Sequence, residues 1–258
     1  MIESVIARLA AAGCVAPAEE ARELLHDAPD AAEIEARVRR REDGEPLPWI
    51  TGHVRFGGLV LHAAPGVYVP RQQSEELARR AAAVLPWRGV AIDLCTGSGA
   101  VAAVLQHAVP DALVAGVEID PCAAACAAHN DVQVVVGDLA TPLHLAGAVD
   151  VVTAVAPYVP TGARQLLPTD VQRHEPLRAL DGGDDGLAIV RRVVEHAATL
   201  LGPAGHLLLE LGGAQDVLLG PELADAGFDP PEPWYDGDGD LRGVITRRVR
   251  RRGGGFKI

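Results

Sequence analysis

Apolar positions change their period twice along the chain. From Ile2 to Arg41 they recur at helical spacing, with Val5, Ile6 and Leu9 and then Ala21, Leu24 and Leu25, interrupted at Pro17 and across Asp27 to Asp30. This pattern predicts a small helical domain over residues 1–50. The stretch Gly44-Glu-Pro-Leu-Pro-Trp49 is too rich in Gly and Pro to continue a helix. Short alternating segments around Val54–Phe56 and Leu59–Leu61 flank Gly57-Gly58, so a hairpin linker is expected over residues 51–73.

Beyond Ser74 the pattern becomes helix, apolar strand, helix, repeated with short connections, which is the sequence form of a parallel sheet covered on both faces. Strands are predicted at Val90–Leu94, Leu113–Glu118, Val132–Val136, Val149–Val155 and His206–Leu211, and a helix at Leu187–Leu201. A terminal apolar segment around Gly243–Ile245 is expected to add an antiparallel edge, and the tail from Arg250 to Gly255 to form a solvated end. The fold class is α/β, a Rossmann-like domain over residues 74–258 behind the helical domain and the hairpin linker. No internal repeat is found.

Composition narrows the function. A formal charge of −12 gives the molecule a field that repels polyanions, which argues against unselective binding to nucleic acid or an anionic membrane. Apolar runs such as Leu207–Leu211 are strand-sized, far short of the roughly 20 residues that span a bilayer. Cys14, Cys95, Cys122 and Cys126 form no CxxC pair, and no charged-then-apolar leader opens the sequence, so a reducing, cytoplasmic location is expected. GxSxG, HExxH and P-loop motifs are absent from the sequence, which removes the commonest hydrolase and nucleotide-triphosphatase readings.

The strand Val90–Leu94 runs into Asp93-Leu-Cys95-Thr96-Gly97-Ser98-Gly99 and then a helix rich in Ala and Val. Glycines at such a turn let the backbone approach a ligand, and the helix start offers free N–H groups. Gly97 and Gly99 with Ala102 also meet the weak dinucleotide fingerprint, so NAD competes at this point. Asp93 shifts the balance: its charge would oppose a pyrophosphate but attract the ammonium of a methionine moiety, favouring S-adenosylmethionine (SAM). Glu118, followed by Ile119, ends the second strand where a carboxylate accepts bonds from ribose hydroxyls. Asp138, in Gly137-Asp138-Leu139 after the third strand, is placed for the adenine amino group. Each acid alone has the bland reading of a helix cap or loop carboxylate, whereas three after successive strands favour a cofactor site.

The fourth strand ends as Val155-Ala156-Pro157-Tyr158-Val-Pro160. With Gly44-Glu-Pro-Leu-Pro-Trp-Ile50, Val69-Pro-Arg71, Asp93 to Gly99, Val136-Gly-Asp138 and Glu175-Pro-Leu-Arg-Ala-Leu-Asp-Gly-Gly-Asp-Asp-Gly-Leu187, it gives nearly the whole chain a resemblance. The chain resembles the HemK/PrmC family of protein-(glutamine-N5) methyltransferases, in particular its PrmC-related actinobacterial-type members. The resemblance implies a doubly wound SAM-dependent methyltransferase domain behind a helical domain that helps recognise the protein substrate, the catalytic centre of peptide release factors. It also implies a cytoplasmic enzyme, with Val155, Ala156, Pro157 and Tyr158 shaping the acceptor pocket and Tyr158 stacking on the acceptor's planar group.

Three departures accompany the resemblance. Val155 stands where the family's signature carries asparagine, whose amide orients and polarises the weakly nucleophilic acceptor nitrogen, and valine has no polar atom for that task. Gln73 replaces an acidic residue expected near the cofactor mouth, and Cys95 stands where many relatives have glycine. The acceptor is therefore read as a protein glutamine or, alternatively, a better nucleophile such as an amine on a small metabolite. Methyl transfer is a direct displacement that calls for no metal. Cys122, Cys126 and His129 share helical spacing, but a small apolar face on the sheet is the expected use of that spacing, and His174 reads as a solvent-facing loop residue. The rivals are a non-catalytic SAM-binding protein, methylation of exocyclic amines in nucleic acid, and an NAD-dependent oxidoreductase.

Overall fold

The computed structural model describes residues 1–249. The N-terminal pattern folds as α1 (Ile2–Ala11), α2 (Pro17–Leu25), α3 (Ala31–Glu42) and α4 (Leu47–Thr51). Pro17 does not break a helix but starts α2, where its missing N–H costs nothing. Asp30 caps α3 by accepting from the Glu33 N–H at 2.9 Å. The stretch expected to be irregular contains α4, because Pro48 falls in its first turn and Gly52 closes it with φ 79°. Val5, Leu9, Ala21, Leu24 and Val38 form the small helical core, completed by Ile50 of α4.

Strands β1 (His53–Phe56) and β2 (Leu59–His62) make the expected hairpin about Gly57-Gly58. It is no free linker: Phe56 and Leu61 are buried in the same core as Leu77, Ala78 and Ala81 of α5 (Glu75–Val84).

The chain then runs through β3 (Val90–Leu94), α6 (Ala100–Ala108), β4 (Leu113–Glu118), α7 (Pro121–His129), β5 (Gln133–Val136), β6 (Val149–Ala154) and α8 (Thr169–His174). It continues through α9 (Ala188–Leu200), β7 (Leu201–Glu210), α10 (Gln215–Asp225), β8 (Glu232–Tyr235) and β9 (Leu241–Arg247). The sheet order is β5-β4-β3-β6-β7-β9-β8, with β3 to β7 mutually parallel and β9 antiparallel to both of its neighbours. Alternation along the strands sorts the two cores. Ile92, Leu94, Val152, Leu207 and Leu209 pack against α9 and α10, while Ala91, Val114, Val151 and Leu208 pack against α5, α6 and the hairpin.

The segment around Gly243–Ile245 is antiparallel but not an edge, because β8 lies outside it. Prolines hid β8 from the sequence, yet an edge strand tolerates Pro233 where an interior one would lose a ladder bond. The tail from Arg250 to Gly255 lies outside the described residues.

Candidate active site

Parallel strands deliver their carboxyl ends to one edge of the sheet, and the turns after β3, β4, β5 and β6 meet there around a cavity of about 370 Å³. Its walls include Cys95 and Gly97 after β3, Glu118, Ile119 and Asp120 after β4, Gly137, Asp138 and Leu139 after β5, and Val155 and Pro157 after β6. Two further strips, not anticipated from the sequence, complete it: Gly66, Val67 and Tyr68 ahead of α5, and Pro176, Arg178 and Ala179 after α8, with Ile189 and Arg192 reaching in from α9.

The turn after β3 alternates left-handed residues, with φ 57° at Cys95, 57° at Gly97 and 80° at Gly99. Cys95 adopts this conformation with a side chain, at a cost of about 1–2 kcal/mol that glycine would avoid. Its thiol is pushed up by burial, with Glu118 and Asp93 adding to the shift, so it stays protonated. Gly97 is open where a Cβ would project, leaving the backbone accessible from the cavity. Gly99 has a different role, since a Cβ there would crowd Ala127 of α7 and Val132, and it does not line the cavity.

Glu118 is nearly buried, and its oxygens accept from the N–H groups of Gly97 at 2.8 Å and Asp120 at 2.9 Å. The bond from Gly97 occupies one backbone N–H that a pyrophosphate would use in a dinucleotide site, and the carboxylate beside it disfavours an anion there. Asp138 faces the cavity from β5's end and is paired with Arg192 at 2.8 Å. Across the mouth Asp120 pairs with Arg178 at 3.4 Å.

Asp93 is placed differently from the sequence expectation. It is 2% exposed, and its two oxygens accept from the Thr96 hydroxyl at 2.6 Å and the Thr153 hydroxyl at 2.7 Å. Burial pushes its carboxyl up to about 6 against the pull of those two hydroxyls. It lines not the large cavity but a second one of about 40 Å³, with Thr96, Ser98, Phe56, Ser74 and Pro70. Tyr68, Cys95, Gly97 and Val155 border both cavities.

The turn after β6 splits its four candidates. Val155 and Pro157 stand on the cavity wall, whereas Ala156 is buried in the core and Tyr158 lines neither cavity. The Tyr158 hydroxyl instead donates to Glu210 at 3.0 Å and accepts from the Gln73 amide at 2.9 Å. Gln73 therefore sits at β7's end rather than at the cavity mouth, donating also to Glu210 at 3.1 Å and accepting from Arg242 at 3.1 Å. Gln215 holds the Tyr158 carbonyl at 2.9 Å. In the sequence Glu210 is marked only as a charge inside the apolar run Leu207–Leu211, and Gln215 carries no comparable signal.

Arg71 pairs with the buried Glu175 and lies over the Tyr68 ring at 5.2 Å, so the strip at residues 66–68 is tied to the one at 176–179. Burial raises the Tyr68 hydroxyl to about 12, which keeps it protonated. His174 is half-buried rather than fully solvent-facing: its ring makes an edge contact with Trp49, and its buried Nε2 finds no partner among the described residues. Cys126 is buried and Cys122 exposed, so the two do not share an environment, and among the described residues no group of three His, Cys, Asp or Glu is arranged to hold a metal. No helix among the described residues is long and apolar enough to cross a membrane.

No family model matches the chain. A release factor glutamine methyltransferase of Corynebacterium glutamicum is 36% identical over 262 residues, covering 95% of this chain and 91% of that protein. The 4-amino-L-phenylalanine/4-methylamino-L-phenylalanine methyltransferase of Streptomyces pristinaespiralis is 40% identical over 190 residues, covering 69% of this chain and 65% of that enzyme. Among solved structures, the Mtq2-Trm112 complex of E. cuniculi, responsible for methylation of the eRF1 translation termination factor, gives a TM-score of 0.54 at 19% identity. It covers 72% of this chain and 99% of that chain, and the likeness is one of fold.

Proposed function

This chain belongs to the family of protein-(glutamine-N5) methyltransferases and uses S-adenosylmethionine as its methyl donor, and on that premise we propose that it methylates the side-chain amide of a glutamine in a protein, with a peptide release factor as the first acceptor to test. One observation carries the choice of a protein acceptor. The likeness to the release factor enzyme covers 95% of this chain, so it extends over most of the N-terminal helical region as well as the catalytic sheet. A cytoplasmic location follows from that acceptor.

In this reading the large cavity holds SAM. The fit rests on its shape and donor set: an open backbone at Gly97, carboxylates at Glu118 and Asp138, and a nearly buried Glu118 that has lone pairs left after accepting two N–H bonds. Glu118 accepts the ribose hydroxyls, and Asp138 accepts the adenine amino group while Arg192 fixes its orientation. Gly137, Leu139 and Ile119 enclose the base. Cys95, Thr96 and Ser98 shape the turn, with Gly99 holding that turn against α7. Asp93 acts from beneath, where Thr96 and Thr153 anchor it, as a charge that stabilises a cation in the turn rather than as a direct ligand. SAM supplies an electrophilic methyl carbon on a sulfonium. Val155 and Pro157 then provide an apolar wall that keeps water from the transferring methyl, and Tyr68 stands beside them as the polar side chain able to orient the acceptor. Ala156 and Tyr158 set that wall from behind.

Val155 favours a second reading. A wall with no polar atom suits an amine that needs no polarisation, and the relative from Streptomyces pristinaespiralis is named for methylating the amino and methylamino forms of such a compound. Methyl transfer to release factors, assayed with wild type and Val155→Asn, separates the two. Activity of the wild type supports the protein acceptor, with the Asn variant raising the rate about tenfold or more if an added amide polarises the acceptor. A wild type that is inert on release factors but methylates 4-amino-L-phenylalanine would overturn the first reading in favour of the second.

A further inference from the structure

Trp49 stands in α4 among the N-terminal helices and reaches the cavity wall through Val67. Its neighbour Ile50 completes the helical core, and Arg40 of α3 holds the Trp49 carbonyl at 3.3 Å while pairing with Glu45 at 2.5 Å. The indole points the other way. Its Nε1 donates to the Val67 carbonyl at 3.0 Å in a buried bond, and Val67 is itself a wall residue packed on Ala123 and Cys126 of α7. The ring edge meets His174 with centroids 6.3 Å apart and planes at 85°. His174 immediately precedes Glu175 and Pro176, where the other strip of the wall begins. The Arg71–Glu175 pair then ties the two strips to each other.

We propose that Trp49 is a positioning residue through which the N-terminal helices set the geometry of the cofactor cavity, so that seating of the indole on Val67 and binding of SAM are thermodynamically linked. The inference rests on the reading of the large cavity as the SAM site. Its physical basis is that the Trp49 indole is the one donor bonded to this wall carbonyl among the described residues, so losing it leaves a buried acceptor unpaired and loosens the strip at residues 66–68. The linkage runs through that one bond and is reciprocal: an indole seated on Val67 favours SAM, and SAM in the cavity favours the seated indole.

Trp49→Phe keeps an aromatic ring beside His174 while removing the N–H together with the pyrrole part of the indole, a loss of buried packing that the stability control below accounts for. Isothermal titration with SAM at a temperature well below unfolding is expected to show the dissociation constant raised about 5–10-fold in this variant. Val38→Ala, which weakens the helical core without touching the wall, serves as the stability control and is expected to lower the melting temperature while leaving SAM affinity within about twofold of wild type. An unchanged affinity in Trp49→Phe, or an equal loss in both variants, overturns the proposal and leaves Trp49 a packing residue. Absence of saturable SAM binding by wild type overturns the cavity reading as well, whereas wild-type binding abolished by Glu118→Ala upholds that reading whatever Trp49→Phe does.

Discussion

At the scale of single residues, the partner a carboxylate or hydroxyl finds decides whether it faces the cavity or turns into the core. Glu118 and Asp138 stand on the cavity wall as their places after successive strands implied, because a parallel sheet brings the residue after each strand to one edge. Asp93 did not follow, since nothing in the sequence says that Thr153, 60 residues away, and Thr96 offer hydroxyls that turn its carboxylate inward. Tyr158 likewise turns toward Glu210, a partner that only the sheet order places beside it. Burial of Asp93 carries a testable sign. With its pKa raised from 3.8 to about 6 in the folded chain, the native state binds the proton more tightly than the unfolded one. Its stabilising contribution is complete below pH 3.8 and is lost as pH rises through about 6. Unfolding free energies of wild type and Asp93→Asn are therefore expected to diverge by roughly 1–1.5 kcal/mol in favour of wild type on going from pH 7 to pH 5. A difference that stays constant across that window would mean that Asp93 remains ionised in the folded protein down to pH 5.

At the scale of elements, the period of the apolar pattern located β3, β4, β5, β6 and α9 to within a residue or two, because each buries a continuous or alternating face. It underestimated β7, whose first half runs through Gly202, Pro203 and Gly205, and it missed β8, whose prolines speak for a loop. It also missed α4, where the same residue type opens a helix instead of ending one. Strand β9 was recognisable, but its place between β7 and β8 was not, since that depends on a pairing partner with no apolar signature. Gly243 makes the insertion possible. It pairs with Glu210 on one side and Trp234 on the other, and a Cβ there would run into the Leu209 carbonyl and the Trp234 ring. Gly243→Ala is expected to destabilise the chain by more than about 2 kcal/mol and to lower its melting temperature by about 5–10 °C. A melting temperature within about 2 °C of wild type would show that β9 does not lie between those two strands.

At the scale of the whole molecule, the order of helices, hairpin and doubly wound sheet was legible because each part has its own period, but their dependence on one another was not. The N-terminal helices bury only Val5, Leu9, Ala21, Leu24 and Val38 among themselves, with Ile50 supplied from the segment that leads into the hairpin. Part of their cohesion is electrostatic, with Arg8 gripping Glu35 and Glu42 at 2.6 and 2.7 Å and Arg41 meeting Glu20 at 2.6 Å between largely covered side chains. Partly exposed pairs of this kind contribute little each, and a core of this size falls short of the entropy of ordering some fifty residues. The deficit is made up where α4 meets the body of the molecule, through Trp49 on Val67 and His174. A peptide spanning residues 1–52 is therefore expected to be mostly unfolded by far-UV circular dichroism in dilute buffer, while the same helices are intact in the full chain. Cooperative melting of the isolated peptide would instead make it an autonomous domain and remove the energetic reason for the helices and the cofactor cavity to respond to one another.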